Sequence, residues 1–276
     1  MSANALPLRG EAAAGGGRIT VRNVDFGFGK AQHHVIKNLS FEIASGEFFV
    51  LLGPSGCGKS TVLSLIAGFE SPSRGDVLAD GQRVAEAGRD RVVIFQDSDS
   101  LYGWLSVLDN VAFPLRVAGV GSKERRTRAA AAVKLVGLEG HERKYPRQLS
   151  GGMKQRTQLA RALVLESPIL LMDEPFAALD AQTRSILQDE LVQLCTRVRR
   201  TVLFITHDIS EAILLGDRVA IMRAGPNSAV KEIIPIELAR PRRRGGPEFG
   251  NYYERINRSI SDEVQRALHT EDSLLT

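Results

Sequence analysis

The chain has 276 residues, 43% of them apolar and 25% charged, which are values of a folded globular protein and not of a disordered one. Its 36 Lys and Arg residues barely exceed its 32 Asp and Glu residues, and they are dispersed, so a nucleic-acid-binding face is not indicated. No apolar run approaches the roughly 18 residues that a membrane span needs, so we expect a chain that is soluble by itself.

Two further features of composition carry little functional information. The short basic runs Arg197–Arg200 and Arg242–Arg244 are expected to lie on a solvated surface. Cys57 and Cys195 are the two cysteines, and neither has a metal-binding or redox spacing around it. We therefore expect two reduced thiols in a cytosolic protein.

The first part of the chain predicts a tail followed by strands. Residues 1–17 are rich in Ala and Gly and lack the apolar segment of a signal peptide, so a disordered tail is expected. Alternation from Ile19 onward predicts strands, and the apolar run Glu47–Leu52 predicts a strand buried on both faces. A helix is expected from Lys59 to about Ala67, with Gly68 as its C-cap.

The remaining chain predicts a parallel sheet interrupted by helices. Helical patterns alternate with four further buried strands, Arg91–Phe95, Ile169–Met172, Thr201–Thr206 and Arg218–Met222. Residues from about 97 to 154 predict an inserted helical subdomain, in which Ser122–Val136 is expected to be a helix capped by Ser122. The core domain is expected to span residues 18–235. Residues 236–276 would form an extension with an amphipathic helix from Tyr252 to Leu268.

Residues 53–60 carry the most specific motif in the chain. They fit the phosphate-binding loop pattern of two glycines that flank four residues, followed by Lys and Ser. Glycines let backbone N–H groups converge on phosphate oxygens, and the helix that follows adds the positive end of its dipole. Lys59 would bring a charge to the β- and γ-phosphates, and the Ser60 hydroxyl can bind Mg²⁺. The pattern predicts a nucleoside triphosphate site made of Gly53, Pro54, Ser55, Gly56, Cys57, Gly58, Lys59 and Ser60.

Three polar residues follow buried strands at what should be the same sheet edge. Asp173 is suited to hold Mg²⁺ through water, and Glu174 to polarise the attacking water. An isolated acidic pair is more often a helix N-cap, and the upstream phosphate-binding loop favours the catalytic interpretation. His207 could contact the γ-phosphate or the attacking water, although a lone His at a strand end is usually structural.

Taken together, these residues resemble the ABC ATPase family. The segment Leu149–Met153 is similar to the family signature, and Ser150, Gly151 and Gly152 at a helix start would form a second anion-binding nest. The resemblance implies an α/β P-loop NTPase core with an N-terminal antiparallel β portion and an inserted helical subdomain. It also implies a head-to-tail pair of identical subunits, in which the signature of one closes over the ATP of the other.

The resemblance runs from about Ile19 to Ile234 and adds four positions to the predicted site. It implies that Gln96 reaches Mg²⁺, takes part in catalysis and senses the transporter, and that Phe28 stacks on adenine. Thr61 would lie near the α-phosphate, and Asp180 in the loop that crosses the dimer interface.

Two positions depart from the family pattern. Met153 stands where relatives usually carry Gln, so a contact specific to that Gln is not implied here. Phe176-Ala177 stands where relatives commonly carry Phe-Gly, and this change should be tolerated unless the second position needs a positive φ.

The segment Leu101–Val111 is similar to importers for nitrate, taurine and alkanesulfonates, with Gly103 in place of their commoner Pro. In that branch it would face a coupling helix of the membrane subunit, with Trp104 as an anchor; alternatively, Trp104 packs into its own domain. The resemblance implies an importer ATPase on the cytoplasmic side of the inner membrane. Its partners would be a multi-span permease docked near Gln96–Val111 and, indirectly, a periplasmic or extracellular solute-binding protein. An export, lipid-trafficking or soluble nucleic-acid-linked ATPase is the alternative, and the cargo stays open.

Overall fold

The computed structural model describes residues 17–28, 34–95 and 100–272. The predicted tail, residues 1–17, lies outside these ranges except for Gly17. The Gly17 N–H donates to both carboxylate oxygens of Asp80 at 2.8 Å, so this residue already belongs to the folded part of the chain.

Ten β-strands form in the described residues and make two sheets. The first sheet is antiparallel, with the order β2-β1-β4-β5. The second has the order β10-β9-β3-β8-β7-β6, and its edge strand β10 pairs antiparallel while the other five strands are parallel. The bounds are β1 Ile19–Phe26, β2 Ile36–Ile43, β3 Phe48–Leu52, β4 Arg74–Ala79, β5 Gln82–Arg83, β6 Arg91–Ile94, β7 Ile169–Asp173, β8 Thr201–Thr206, β9 Arg218–Met222 and β10 Val230–Pro235.

Seven α-helices surround these sheets in the described part of the chain, and none of them is long and apolar enough to cross a membrane. Helices α2, α3 and α4 pack on one another and form the helical part that the sequence predicts between β6 and β7. The bounds are α1 Lys59–Ala67, α2 Val107–Val117, α3 Ser122–Leu135, α4 Gly151–Leu163, α5 Ala181–Val198, α6 Ile209–Leu215 and α7 Pro247–Asp272.

Strand β3 lies near the centre of the parallel sheet because both of its faces are apolar. All five of its residues are buried. Phe49 and Leu51 belong to the core beneath the antiparallel sheet and α1, whereas Val50 and Leu52 belong to the core beneath α4, α5 and α6. Burying such a side chain stabilises the fold by roughly 1.5–3 kcal/mol. This two-sided burial explains the continuous apolar run and fixes the start of the loop that follows it.

Two expectations about local structure were wrong. Ser122 does not cap α3: Gly121 occupies the N-cap position and Ser122 is the first helical residue. The basic runs are not wholly solvated, since Arg200 is buried and Arg242 is half-buried. Both guanidinium groups turn inward because they donate hydrogen bonds to main-chain carbonyl groups. Arg200 donates to Leu163, the last residue of α4, and to Leu165, and Arg242 donates to residues around the end of α6.

Candidate active site

Three neighbouring strands of the parallel sheet carry the predicted chemistry at their carboxyl ends. Strand β8 pairs with β3 on one side and with β7 on the other, all in parallel. The phosphate-binding loop therefore follows β3, the pair Asp173 and Glu174 lies at the end of β7, and His207 directly follows β8. The structure brings these groups to one edge of the sheet, as the sequence predicts.

The loop of residues 53–60 curls around the ammonium group of Lys59. The Nζ atom donates to the carbonyl oxygens of Gly53 at 2.9 Å and Pro54 at 2.8 Å, and the side chain is buried. Gly58 caps α1 with φ +90°, and a Cβ atom there would lie 3.2 Å from Val35 Cγ1. Only glycine meets both conditions readily. The loop thus places backbone N–H groups, a helix N-terminus and one cation together, which suits a phosphate chain.

Three other residues that are predicted to contact the nucleotide are Cys57 within this loop, Thr61 directly after it and Phe28 beyond β1. Cys57 is fully buried within the loop, and burial raises the pKa of its thiol. Thr61 is half-buried in the first turn of α1. Phe28 lies just beyond the end of β1 with 61% of its surface exposed, and its ring meets Phe26 edge to face at 5.1 Å between centroids. An exposed aromatic face of this kind can stack on a base.

Ser60 and Asp173 form a pair of oxygen donors. The Ser60 side chain lies near enough to the Asp173 carboxyl group to lower its pKa. Burial raises the pKa of Asp173, and the Ser60 side chain and the charge of Lys59 oppose this effect. A hydroxyl and a carboxylate beside a phosphate-binding loop fit Mg²⁺, which prefers oxygen ligands and usually completes its shell with water and phosphate.

Glu174 and His207 are in direct contact. Glu174 Oε1 lies 3.1 Å from His207 Nδ1, with the Glu174 side chain mostly buried and His207 mostly exposed. The Glu174 N–H donates to the carbonyl oxygen of Ile205 at 3.0 Å. The next helix, α5, begins at Ala181 and is capped by Asp180, so the interpretation of the acidic pair as a helix N-cap was wrong. A carboxylate and an imidazole at this edge can together bind and polarise a water molecule.

A buried polar network supports the end of β8 and was not predicted. The Thr206 hydroxyl donates to Glu211 Oε2 at 2.6 Å and accepts the Asp208 N–H at 3.0 Å. Gln188 from α5 donates to Glu211 Oε1 at 2.9 Å, and burial raises the pKa of Glu211. The partners are distant in sequence or lie on separate elements, so no local pattern reveals the network. It holds the residue that precedes His207.

The signature segment forms the exposed beginning of α4. Ser150 is the N-cap, and its hydroxyl accepts the Met153 N–H at 3.3 Å, while Gly151 and Gly152 are the first helical residues. Ser150 and Gly151 are exposed. The N-terminus of α4 is therefore a second place where backbone N–H groups can meet an anion.

The remaining positions considered in the sequence are Asp180, Ala177 and Gln96. Asp180 Oδ1 accepts the Thr183 N–H at 2.9 Å, so this carboxylate caps α5. Ala177 is exposed and does not adopt a positive φ, which explains why alanine is accommodated where relatives carry glycine. Gln96, predicted for catalysis and Mg²⁺ binding, lies outside the described residues.

Comparison with known proteins agrees with this geometry. The sequence profile of the ABC transporter family matches residues 36–177. An uncharacterised ABC transporter ATP-binding protein of Methanocaldococcus jannaschii is 46% identical over 243 residues, which cover 88% of this chain and 90% of that protein. The nitrate import ATP-binding protein NrtD of Synechococcus elongatus is 42% identical over 86% of this chain and 87% of its own length.

Two further matches cover very different shares of the matched proteins. The nitrate import ATP-binding protein NrtC of Synechococcus elongatus is 43% identical over 84% of this chain, but the match spans only 36% of that longer protein. Among solved structures, the dimeric post-hydrolysis state of the ATP-binding cassette MJ0796 bound to ADP and Pi is 32% identical. It superposes with a TM-score of 0.72 over 80% of this chain and 100% of that one. The chain belongs to the ABC transporter family, as an ATP-binding subunit that hydrolyses ATP with Mg²⁺.

Proposed function

We propose that this chain powers the import of a small anion or organic solute of the nitrate, sulfonate or taurine type. In this proposal two copies pair head to tail and dock on a multi-span permease at the cytoplasmic face of the membrane, and a solute-binding protein delivers the cargo from the other side. The observation that carries the importer proposal is an apolar groove beside the exposed Trp104, in a chain 42% identical to a nitrate import ATP-binding protein.

The chemistry of the proposed site follows from its described residues. Lys59 and the loop N–H groups hold the β- and γ-phosphates, and Ser60 and Asp173 hold Mg²⁺. When bound, Mg²⁺ neutralises phosphate charge and stabilises the charge that develops during phosphoryl transfer. Glu174 polarises the attacking water and accepts its proton, and His207 orients Glu174 through the 3.1 Å contact and reaches toward the γ-phosphate.

The remaining proposed contacts complete the nucleotide site. Phe28 stacks on adenine through its exposed ring, and Thr61 binds near the α-phosphate from the first turn of α1. Gln96 would add a ligand to Mg²⁺. Asp180 lies in the loop that would cross the dimer interface, where its cap on α5 fixes the loop.

The proposed head-to-tail pairing rests on the second anion-binding nest. One triphosphate chain occupies one phosphate-binding loop, so the exposed nest of Ser150, Gly151 and Gly152 is suited to an anion held by another molecule. A second copy supplies that anion if its ATP faces this nest. The dimeric state reported for MJ0796 supports a dimer of this chain as well.

Glu174→Gln tests both the catalytic role and the dimer. The amide keeps the size of the side chain but cannot accept the proton, so turnover should fall by about 10²–10⁴-fold while ATP still binds. Size-exclusion chromatography with light scattering should then show a stable dimer that depends on ATP. Rapid steady-state turnover by the variant would refute Glu174 as the base. Full activity in a wild-type monomer would refute the shared site.

The groove near Trp104 supports docking of a membrane partner. It has a volume of about 520 Å³ and lies between β6, α2 and α4. Tyr102 lines it, with its ring 4.6 Å from Phe113 and 5.6 Å from the Arg161 guanidinium group. Trp104 is 73% exposed beside Tyr102, so it is not packed into its own domain. An apolar groove with a cationic rim suits a short amphipathic helix.

Trp104→Ala tests the docking surface. Because the indole does not contact the phosphate-binding loop, ATPase activity of the isolated subunit should stay within about twofold. Recovery of a multi-span protein with the tagged chain from detergent-solubilised membranes should fall about tenfold, as expected for a buried aromatic anchor. Tyr253→Ala, at an exposed aromatic residue of α7, is the matched control. Equal recovery with Trp104→Ala would contradict docking at this surface.

Uptake assays separate import from the alternatives. Proteoliposomes or cells that contain the intact complex should take up labelled nitrate, taurine or an alkanesulfonate only with ATP and with the solute-binding protein present. Efflux, lipid movement or a DNA-stimulated ATPase that functions without a membrane protein would overturn the importer proposal.

A further inference from the structure

Gln155 joins α4 to the segment that carries Glu174. Its side chain is buried, and its Oε1 atom accepts the Ala178 N–H at 2.9 Å. Its Nε2 atom donates to the Glu174 carbonyl oxygen at 3.4 Å. A main-chain N–H can only donate and a carbonyl oxygen can only accept, so these two partners settle the orientation of the amide.

The backbone of Glu174 needs such support. Its φ is +46°, in the left-handed region that L residues other than Asn and Asp rarely adopt. The Glu174 N–H is held by the Ile205 carbonyl oxygen at 3.0 Å, and its carbonyl oxygen is held by Gln155. This backbone direction determines where the carboxylate projects, 3.1 Å from His207 Nδ1. Residues held in this region persist only where the surroundings fix them.

A second contact places the same segment against α4. At Gly152, one turn before Gln155, a Cβ atom would lie 3.3 Å from the Ala178 carbonyl oxygen. Gly152 and Gln155 lie on one face of the helix, because residues three apart are neighbours there. The segment from Glu174 to Ala178 therefore rests on α4 at two points, and Gln155 provides the hydrogen bonds.

We propose that Gln155 is a positioning residue that holds Glu174 of its own chain in the orientation needed for hydrolysis. The inference rests on the proposed head-to-tail dimer, in which the Ser150 end of the same helix acts on the ATP of the partner. A substitution at Gln155 therefore impairs the site that contains its own Glu174, whereas a substitution at Ser150 impairs the opposite site.

Mixed dimers with two different affinity tags test this distinction. In a dimer in which one chain carries Lys59→Ala, the single working site uses the loop and Glu174 of the other chain. Gln155→Ala in that other chain should lower kcat about 10- to 100-fold, the effect of displacing a catalytic group by about 1 Å, with ATP affinity within about twofold. Gln155→Ala in the Lys59→Ala chain should leave kcat within about twofold. Equal losses from both placements, or no loss from either, would overturn the proposal.

Two controls address folding and the underlying dimer. Gln155→Glu keeps an acceptor for the Ala178 N–H but sets an oxygen against the Glu174 carbonyl oxygen, so it should lower kcat in the same chain-dependent way even if Gln155→Ala folds poorly. Gln193→Ala, at an exposed glutamine of α5, should have no effect. If wild-type activity does not depend on subunit concentration, the shared site fails instead. In that case the role of Gln155 is tested in the chain acting alone: Gln155→Ala should lower kcat and leave ATP affinity unchanged.

Discussion

Arg242→Ala should destabilise the protein because Arg242 ties the C-terminal extension to the end of α6. The guanidinium group donates to main-chain carbonyl oxygens on both sides of this junction, at 2.8 Å to Ile213, 2.8 Å to Ile236 and 2.9 Å to Leu238, and also to Gly216. The last carbonyl groups of a helix lack partners within the helix, so this side chain satisfies acceptors that α6 leaves open.

The size of the effect can be worked from these contacts. Burial lowers the pKa of Arg242 to about 10, so the side chain remains charged at neutral pH and its hydrogen bonds are charge-assisted. Such bonds contribute about 1.5–3 kcal/mol each in full burial. The side chain is only half-buried, however, and water can reach some of the freed carbonyl groups. We therefore expect a loss of about 3 kcal/mol in the free energy of unfolding, equivalent to roughly 6–12 °C in Tm.

Urea denaturation followed by circular dichroism, with calorimetry for Tm, measures this loss. Arg243→Ala is the matched control, since it removes the same charge from the next residue, which is exposed. The control should change the free energy of unfolding by at most about 0.5 kcal/mol. Arg242→Lys should be intermediate, because an ammonium group cannot reach all the carbonyl groups at once. Equal stability of the two alanine variants would refute the reasoning.

Three further predictions concern the site. Lys59→Ala should weaken ATP binding about 10- to 100-fold by isothermal titration calorimetry, because a charge-assisted contact to phosphate is lost; unchanged affinity would place the triphosphate elsewhere. Burial raises the pKa of Cys57 above its ordinary value, so the rate of its alkylation, followed by mass spectrometry, should still be rising at about pH 9, and a plateau below about pH 9 would contradict this. Thr206→Val removes a hydrogen bond to Glu211, whose pKa burial raises above its usual value. The Thr206 hydrogen bond favours the charged form of this carboxyl group and partly opposes the effect of burial. The variant should therefore lose about 2 kcal/mol at pH 8, and the loss should shrink as the pH falls through the pKa of Glu211. The exposed Thr127→Val is the control, and a loss independent of pH would count against the reasoning.

The buried parallel strands could be predicted from sequence because their apolar runs are set by local chemistry. Strand β8 begins and ends where predicted, and the predicted helix Lys59–Ala67 matches α1. Strands β4, β5 and β10 were missed. Strand β5 is a two-residue strand at the edge of the antiparallel sheet, and β10 is half-exposed at one edge of the parallel sheet, so polar residues interrupt their patterns. Helix α7 extends the predicted range Tyr252–Leu268 at both ends.

In the site, the residues that directly follow predicted strands could be predicted, whereas contacts between residues distant in sequence could not. The phosphate-binding loop, Asp173, Glu174 and His207 could be placed at one sheet edge because each follows a strand that periodicity reveals. The positioning contacts could not. Gln155 in a helix reads as an ordinary helix former, and its partners are 19 and 23 residues away. The sequence around Arg242 likewise indicates an exposed charge, because the carbonyl groups at the end of α6 to which it donates can be identified only from the structure.

The strand order has a consequence for how such a subunit can diversify. Strands β6 and β7 are neighbours in the sheet, yet the chain between them leaves the core and builds α2, α3 and α4 before it returns. The three strand ends that carry the chemistry belong to β3, β8 and β7, whose spacing of about 4.8 Å is set by main-chain hydrogen bonds alone. The segment that forms α2, α3 and α4 can therefore change its length and surface to suit another membrane partner. Such a change does not move the residues at the three strand ends that are placed to bind phosphate.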